Sequence, residues 1–282
     1  MATTFGLSIM GDFLRQFAGE EVLYFPNPGN AGDSLIAAGT YQAFRRSGVR
    51  PRVIDDAANV TGKVVFLGGG GNLVPAYGEM RRAVERCHAV AARLIILPHT
   101  IRGNEDLLRA LPKTAVVFCR DPLSYAHVIE NTDAEVYLDH DMAFHLSVDA
   151  FQEQCRRYPD APHLFEKRRE EVERTVRAGN GIAKFMRLDG ERASHLPELE
   201  DNLDLSQVFE FGVWPDNAEK SVYCVFEAIR MASRVVTDRL HISVASGLLG
   251  KPCDLFDNNY GKNRGIFYHS TKRFCPSVRF CA

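Results

Sequence analysis

Short runs of branched apolar residues alternate along the chain with polar loops and with segments whose apolar positions recur at helical spacing. Glu21 to Phe25, Arg52 to Asp55, Lys63 to Leu67, Leu94 to Leu97, Thr114 to Phe118 and Glu135 to Leu138 read as strands. KVVFL at 63–67 and LIIL at 94–97 are apolar without alternation, as in strands buried on both faces of a parallel sheet. Helices are predicted between them. One is opened by Asn30-Ala31-Gly32-Asp33-Ser34, carries Leu35, Ala38, Ala43 and Phe44 on one stripe, and stops at Ser47-Gly48. Others cover 79–93 and 124–130, and a short amphipathic helix is expected over 8–18. A strand–loop–helix unit repeated in this way predicts an α/β fold with a doubly wound parallel sheet.

The rhythm breaks over 149–178. Glu166 to Arg177 places opposite charges at helical spacing, Glu170 with Arg174 and Glu173 with Arg177, which predicts a solvated connecting helix. A second alternation follows: Ile182 to Arg187, Ser206 to Phe211, a helix over 218–232, a strand at 234–236, a helix over 239–249 and a strand at 253–256. The expected organisation is an N-terminal α/β domain over 1–148, a helical connector over 149–180 and a C-terminal α/β domain over 181–282. Two Rossmann-like domains of this kind are expected to face a cleft, the usual place for a site. Ligands of doubly wound sheets sit at the carboxyl ends of the strands. Those ends carry Asn27, Gly68 to Asn72, His99, Arg120-Asp121 and Asp139-His140-Asp141.

Composition narrows the classes. With 282 residues and 45% hydrophobic content the chain has ample core material, and its net charge of −2 argues against a general nucleic-acid binder. No apolar run is long enough to span a membrane, and the first residues, MATTFGLSIM, lack the basic start of a signal peptide. The seven cysteines form no CxxC pair, so reduced thiols in a cytoplasmic setting are expected, without a zinc site.

Three motifs carry chemistry. Gly68-Gly69-Gly70-Gly71-Asn72 follows a strand directly. It is either a tight turn or a cradle in which backbone and a following helix start approach an anion. It matches neither the dinucleotide fingerprint nor a Walker A loop, which disfavours nicotinamide and ATP. Asp33, at a strand-to-helix junction with Asn30, is either a carboxylate complementing the helix dipole or a base for a sugar hydroxyl. Asp238-Arg239-Leu240-His241 places a guanidinium and an imidazole two residues apart where a strand becomes a helix, with Lys262 and Arg264 following. A guanidinium there suits a carboxylate or phosphate, and an imidazole suits proton donation. His99, Arg120, His140, His145 and Arg187 are weaker candidates for lining the cleft. No GxSxG or HExxH is present, so such hydrolases find no support.

Taken in order, these pieces resemble the polysaccharide pyruvyl transferase family. The matching segments are Asn30 to Asp33, Gly68 to Asn72, Leu97 to Thr100, Arg120 to Ser124, Asp139 to Phe144, Arg187 to Asp189 and, above all, Thr237 to His241, followed by Gly250 to Pro252 and Asp257 to Asn263. They run from about residue 27 to 268. His99 stands where the family more often has Gln or Ser, and His140 interrupts a motif that usually reads Asp-Pro-Ala-Phe.

The resemblance implies transfer of the pyruvyl skeleton of phosphoenolpyruvate onto two hydroxyls of one sugar, giving a cyclic ketal and phosphate, in a fold like that of B-type glycosyltransferases. It implies no metal or organic cofactor. On this reading His241 is the acid that protonates the methylene carbon, and Asp33 is the base for the attacking hydroxyl. Arg239, Lys262, Arg187 and Arg264 hold the donor beside Asp238. Asn30, Asn72, Gly69, Gly70, His99 and Arg120 shape the remaining substrate surface. The N-terminal domain takes the saccharide acceptor and the C-terminal domain the donor. A lipid-linked acceptor would bring a cytoplasmic enzyme to the inner membrane face. The rival readings are a B-type glycosyltransferase using a nucleotide sugar and a non-catalytic sugar-binding protein.

Overall fold

The computed structural model describes residues 9–193 and 200–281. Contacts divide the chain into two compact units, residues 1–28 with 39–146, and residues 29–38 with 147–282.

In the first unit, β1 (Glu21–Phe25), β2 (Arg50–Val53), β3 (Val64–Leu67), β4 (Gly70–Leu73), β5 (Arg93–Ile101), β6 (Val116–Cys119) and β7 (Glu135–Leu138) form one parallel sheet. The order is β2-β1-β3-β5-β6-β7, with β4 paired to β5. Its helices are α1 (Ile9–Arg15), α2 (Ala31–Ser47, whose start belongs to the second unit), α3 (Glu79–Cys87), α4 (Glu105–Ala110) and α5 (Pro122–Ile129). The two-residue period of the strands sorts their side chains onto two faces. Leu23, Phe25, Val65, Leu67, Val117 and Cys119 pack with Met80, Val84, Leu107 and Leu108 of the helices. On the other face Tyr24, Phe66 and Phe118 meet aromatic rings edge-on: Phe13–Phe118 at 5.0 Å, Phe17–Phe66 at 5.2 Å and Tyr24–Phe44 at 5.3 Å between centroids. Burial on both faces is why KVVFL and LIIL lack polar alternation.

The glycine run departs from expectation. Gly70 to Leu73 is itself a strand, and the next helix begins only at Glu79, so no helix start follows the glycines to present N–H groups to an anion. The strand predicted at 94–97 extends to Ile101, through Pro98, with its pairing to β6 shifted between Ile96 and His99.

The second unit holds β8 (Ile182–Lys184), β9 (Arg234–Thr237), β10 (Cys253–Phe256) and β11 (Val278–Cys281) in a parallel sheet ordered β11-β10-β9-β8. Around it lie α6 (Val148–Cys155), α7 (Ala161–Glu166), α8 (Arg169–Ala178), α9 (Leu205–Val208), α10 (Pro215–Met231), α11 (Leu240–Leu248), α12 (Lys262–Ile266) and α13 (Lys272–Phe274). The segment expected to connect two domains is packed here: α6, α7 and α8 lie against α10, with Phe151 on Phe226 at 5.4 Å. The outer face of α8 is solvated as expected, but through different pairs, Arg169 with Glu166 and Glu173, and Arg168 with Glu171. Helix α11 is apolar nearly all round and buried from Ile242 to Gly247, which fixes the position of its first residues rigidly.

Candidate functional site

At the carboxyl end of β9 the chain turns through Asp238 into α11, and the turn is bolted to its surroundings by hydrogen bonds. Thr237 Oγ1 donates to Phe185 O (2.6 Å) and accepts from Arg239 N (3.0 Å). Asp238 Oδ1 accepts from Arg187 N (2.7 Å). Asn263 Nδ2 donates to both Asp238 O (2.7 Å) and Phe256 O (2.9 Å), holding the ends of β9 and β10 together. Burial pushes the Asp238 carboxyl up, although Arg187 opposes the shift, and its Oδ2 is buried with no hydrogen-bond partner among the described residues.

The expected cations stand here, and each is matched by a carboxylate. Arg239 is 4% exposed and bidentate on Asp204, with Nε 3.0 Å from Oδ1 and Nη2 on Oδ2. It also reaches Asp189 Oδ2 at 2.8 Å. Arg187 Nε lies 3.4 Å from Asp189, and its Nη1 pairs with Glu191. Lys262 Nζ lies 2.8 Å from Glu191 Oε2. The result is one ladder, Asp204–Arg239–Asp189–Arg187–Glu191–Lys262. Burial would raise the Glu191 carboxyl, but Lys262 and Arg187 outweigh it and hold the group well below the usual carboxylate range. Burial likewise works against the charge of Arg187, and Glu191 and Asp189 more than offset it, so its pKa lies above the ordinary arginine value. Arg264 stands apart from the ladder, exposed and 3.5 Å from Asp257.

His241, in the first turn of α11, meets the start of α2. A methyl group on Gly32 would lie 2.9 Å from His241 Nδ1 and 3.2 Å from its Cβ, so the absence of a side chain there lets the imidazole seat against the turn. Ser34 Oγ also donates to Gly212 O at 2.9 Å, so two contacts run from the start of α2 to residues of the second unit, with which residues 29–38 group. Within the turn Asn30 Oδ1 accepts from Gly32 N (2.8 Å) and Asp33 Oδ2 accepts from Asn30 N (3.0 Å). This is a reciprocal cap at the start of α2, so Asp33 has a structural duty whatever else it does. Glu210 belongs to the same neighbourhood. Burial and then the charge of Asp33 raise its carboxyl, against Arg239.

The candidates of the first unit form a separate network. Gly69 and Gly70 are buried, and a methyl group on Gly69 would come within 2.6 Å of Pro98 O, while one on Gly70 would overlap the Asn27 amide. Close packing of strand ends accounts for these glycines. His99 Nε2 lies 3.1 Å from Asn72 Oδ1. Burial, assisted by Arg120, lowers the His99 pKa to about 3, so the ring is neutral. Arg120, 1% exposed, donates to Thr100 Oγ1 (2.9 Å) and to Asp141 Oδ2 (2.6 Å). Asp141 in turn caps Ala143 N at 2.8 Å. Arg120 is thus a buried strut tying the ends of β5 and β6 to the segment after β7, not a cation on an open surface.

Residues 30–260 match the family described as polysaccharide pyruvyl transferase. The chain belongs to that family. This pyruvyl transferase is 28% identical over 301 aligned positions to a Bacillus subtilis (strain 168) protein named provisionally as the pyruvyl transferase EpsO, covering 92% of this chain and 88% of that one. It is also similar to the crystal structure of a protein of uncharacterised function from Klebsiella pneumoniae subsp. pneumoniae NTUH-K2044, with a TM-score of 0.76 and 25% identity over 100% of this chain and 99% of that chain. Family membership makes the protein a transferase that carries pyruvate to polysaccharide. Among the described residues no helix is long and apolar enough to cross a membrane.

Sequence reading missed the carboxylates that answer the cations. Asp204 lies 35 residues from Arg239 in a segment without periodic pattern, and nothing short of the fold announces the pairing. Asn263 stands at the end of a family-like segment, but nothing in the sequence assigns it the role of joining β9 to β10, and Glu210 carries no signal in the sequence at all.

Proposed function

We propose that this pyruvyl transferase takes its pyruvyl group from phosphoenolpyruvate and forms a cyclic ketal on two hydroxyls of one sugar in a polysaccharide or its precursor. A proton added to the methylene carbon turns the enol phosphate into an oxocarbenium-like centre. One hydroxyl attacks that centre, phosphate departs, and the second hydroxyl closes the ketal. Of the two hydroxyl protons released, one balances the new methyl group and the other leaves with phosphate.

His241 acts as the acid and Asp33 as the base in this reading, with Asn30 orienting the acceptor. Lys262 binds the carboxylate and phosphate of the donor, helped by the start of α11, where no side-chain cap intervenes, and Arg187, buried between Asp189 and Glu191, holds the ladder in place behind it. Arg264, exposed beside them, takes the outer edge of the donor. Arg239, buried on Asp204, positions the turn that carries His241, a change from the direct contact expected of it. Asp238 serves the same turn. Asn72, Gly69, Gly70, His99 and Arg120 shape the first unit. The two parallel-sheet units suit an organisation like that of B-type glycosyltransferases, with the donor on the second unit, and the enzyme works in the cytoplasm.

The observation that carries the reading is the seating of His241 on Gly32, one residue from Asp33. It puts an imidazole and a carboxylate on two helix starts packed together, next to a ladder of cations. General acid–base help of this kind is worth on the order of 10²–10⁴-fold. The test is phosphate release from phosphoenolpyruvate with a panel of sugar acceptors, products read by mass spectrometry, for the wild type and His241→Ala. A mass gain matching a ketal, lost in the variant, is expected. Turnover of a nucleotide sugar instead, or full activity of His241→Ala, would overturn the reading.

A further inference from the structure

After Asp257 the chain has no acidic residue, yet it carries Lys262, Arg264, Lys272, Arg273 and Arg279, interleaved with Tyr260, Phe267, Tyr268, Phe274 and Phe280. In a chain of net charge −2 this is a marked local asymmetry. The structure shows where the charges go. Residues 262–274 form one helical run, α12 and α13 joined by a wide π-type turn over 267–271. Its inner side buries Asn263, Ile266, Phe267, Ser270 and Thr271. Arg264, Tyr268 and Lys272 recur every fourth residue and are all exposed, so they share one outward stripe.

The stripe is continuous. Lys272 Nζ lies 5.9 Å from the centre of the Tyr268 ring, Tyr268 lies 6.1 Å from Phe280, and the Arg264 guanidinium lies 5.8 Å from the Phe280 ring. Arg273 sits 5.3 Å from the Phe274 ring. Tyr268 is 61% exposed. The cations closer to the sheet are neutralised, Arg279 by Asp254 at 3.0 Å and Lys262 by Glu191. Lys272 and Arg273, at the outer end, face solvent with no carboxylate partner among the described residues.

We propose that this face docks the protein on an anionic phospholipid surface, with Lys272 and Arg273 near the headgroups and Tyr268 at the interface. Cations on long stems and amphipathic rings are the side chains that settle at that boundary. Each basic residue near such a surface adds roughly fivefold to binding. Two unpaired cations and one ring therefore give reversible, salt-sensitive attachment rather than a permanent anchor. The proposal is independent of which donor the enzyme uses.

The experiment is co-sedimentation of the full chain with vesicles of phosphatidylglycerol and phosphatidylcholine in equal parts, against vesicles of phosphatidylcholine alone. Binding to the mixed vesicles only is expected, weakened at about 0.5 M salt, where the Debye length falls to about 4 Å. The double variant Lys272→Glu/Arg273→Glu should bind at least about tenfold more weakly, and Tyr268→Ala should also bind more weakly, with turnover on soluble substrates unchanged in both. No binding to the anionic vesicles, equal binding to both kinds, or unchanged binding of the charge-reversed variant would overturn the proposal. So would a higher affinity for heparin, a soluble polyanion, than for the vesicles, which would make the face a saccharide site.

Discussion

Replacing Asp204 by alanine removes the main counter-ion of Arg239 and leaves the guanidinium in place. Arg239 is 4% exposed and Asp204 2%, so the charge cannot turn to water without opening the turn before α11. Asp204 accepts both Arg239 nitrogens and also Leu188 N at 3.0 Å, so three donors lose their acceptor together. Breaking a buried pair from one side costs roughly 3–5 kcal/mol, because a desolvated charge is left uncompensated. Asp189 remains 2.8 Å from Arg239 but is 35% exposed, so its compensation is partial and screened. The lower end of the range, about 3 kcal/mol, is therefore expected, equivalent to a Tm lowered by roughly 6–12 °C at 2–4 °C per kcal/mol.

The assay is thermal and urea unfolding of the wild type, Asp204→Ala, Arg239→Met and the double variant. Removing both partners should recover at least about 1 kcal/mol relative to Asp204→Ala alone, since the double variant carries no orphaned charge. Turnover should fall in Asp204→Ala, since Arg239 lies two residues before His241 on the same turn. A destabilisation of less than about 1 kcal/mol in Asp204→Ala, or additive effects in the cycle, would refute the assignment of the pair as the brace of this turn.

Gly32→Ala should lower turnover while leaving unfolding nearly unchanged, because the new methyl would stand 2.9 Å from His241 Nδ1; unchanged kcat in steady-state assays would count against the seating of His241 on the turn. Gly69→Ala should destabilise by about 1–3 kcal/mol, the usual range for overpacking, since the methyl meets Pro98 O at 2.6 Å, and urea unfolding reads it. For pH, burial lowers His99 and His145 to about 3, below an unfolded value near 6.5, so the unfolded chain binds more protons and stability falls as pH drops from about 6.5 toward 3. Between pH 7.5 and 5.5 each should cost about 1.4 kcal/mol, and the loss measured by urea unfolding should shrink in His99→Gln. The Glu191 carboxyl is held low instead, so its contribution is complete above about pH 4.3 and disappears only as pH falls below that; Glu191→Gln should flatten acid unfolding in that lower window alone.

The parallel sheets were legible because their signal is local. β7 and β10 fall on the residues expected, Glu135–Leu138 and Cys253–Phe256, since a short apolar run bounded by turn residues shows itself within four or five residues even where, as in β7, the strand is only partly buried. The last strand, Val278–Cys281, escaped because Arg279 within it and Cys275-Pro276 just before it break that pattern. The glycine run misled for a different reason. Glycine reports only that something comes close, and at Gly68, Gly69 and Gly70 the visitors are Asn27, Pro26 and Pro98 of the same chain. The contacts of residues 29–38 with the second unit are not written in any local pattern, because they rest on one glycine beneath an imidazole and one serine on a carbonyl 178 residues away.

The same distinction governs the site. A cluster of Arg, Lys and His in sequence suggests an anion-binding surface, but charge in a folded protein is counted against what surrounds it. Arg239 and Arg120, the two guanidiniums closest to recognisable motifs, are both nearly fully buried and both carry an acidic partner from elsewhere in the chain, Asp204 and Asp141. Desolvated ions of this kind persist only when paired, so their partners are as much a part of the motif as the arginines are. Lys262, 11% exposed at the end of the ladder, and its partner Glu191, 15% exposed, lie closer to solvent, and there an incoming carboxylate or phosphate has least to displace. The motif residues that mark the family therefore divide between buried scaffold and side chains within reach of solvent, and burial, which composition and spacing do not encode, decides which is which.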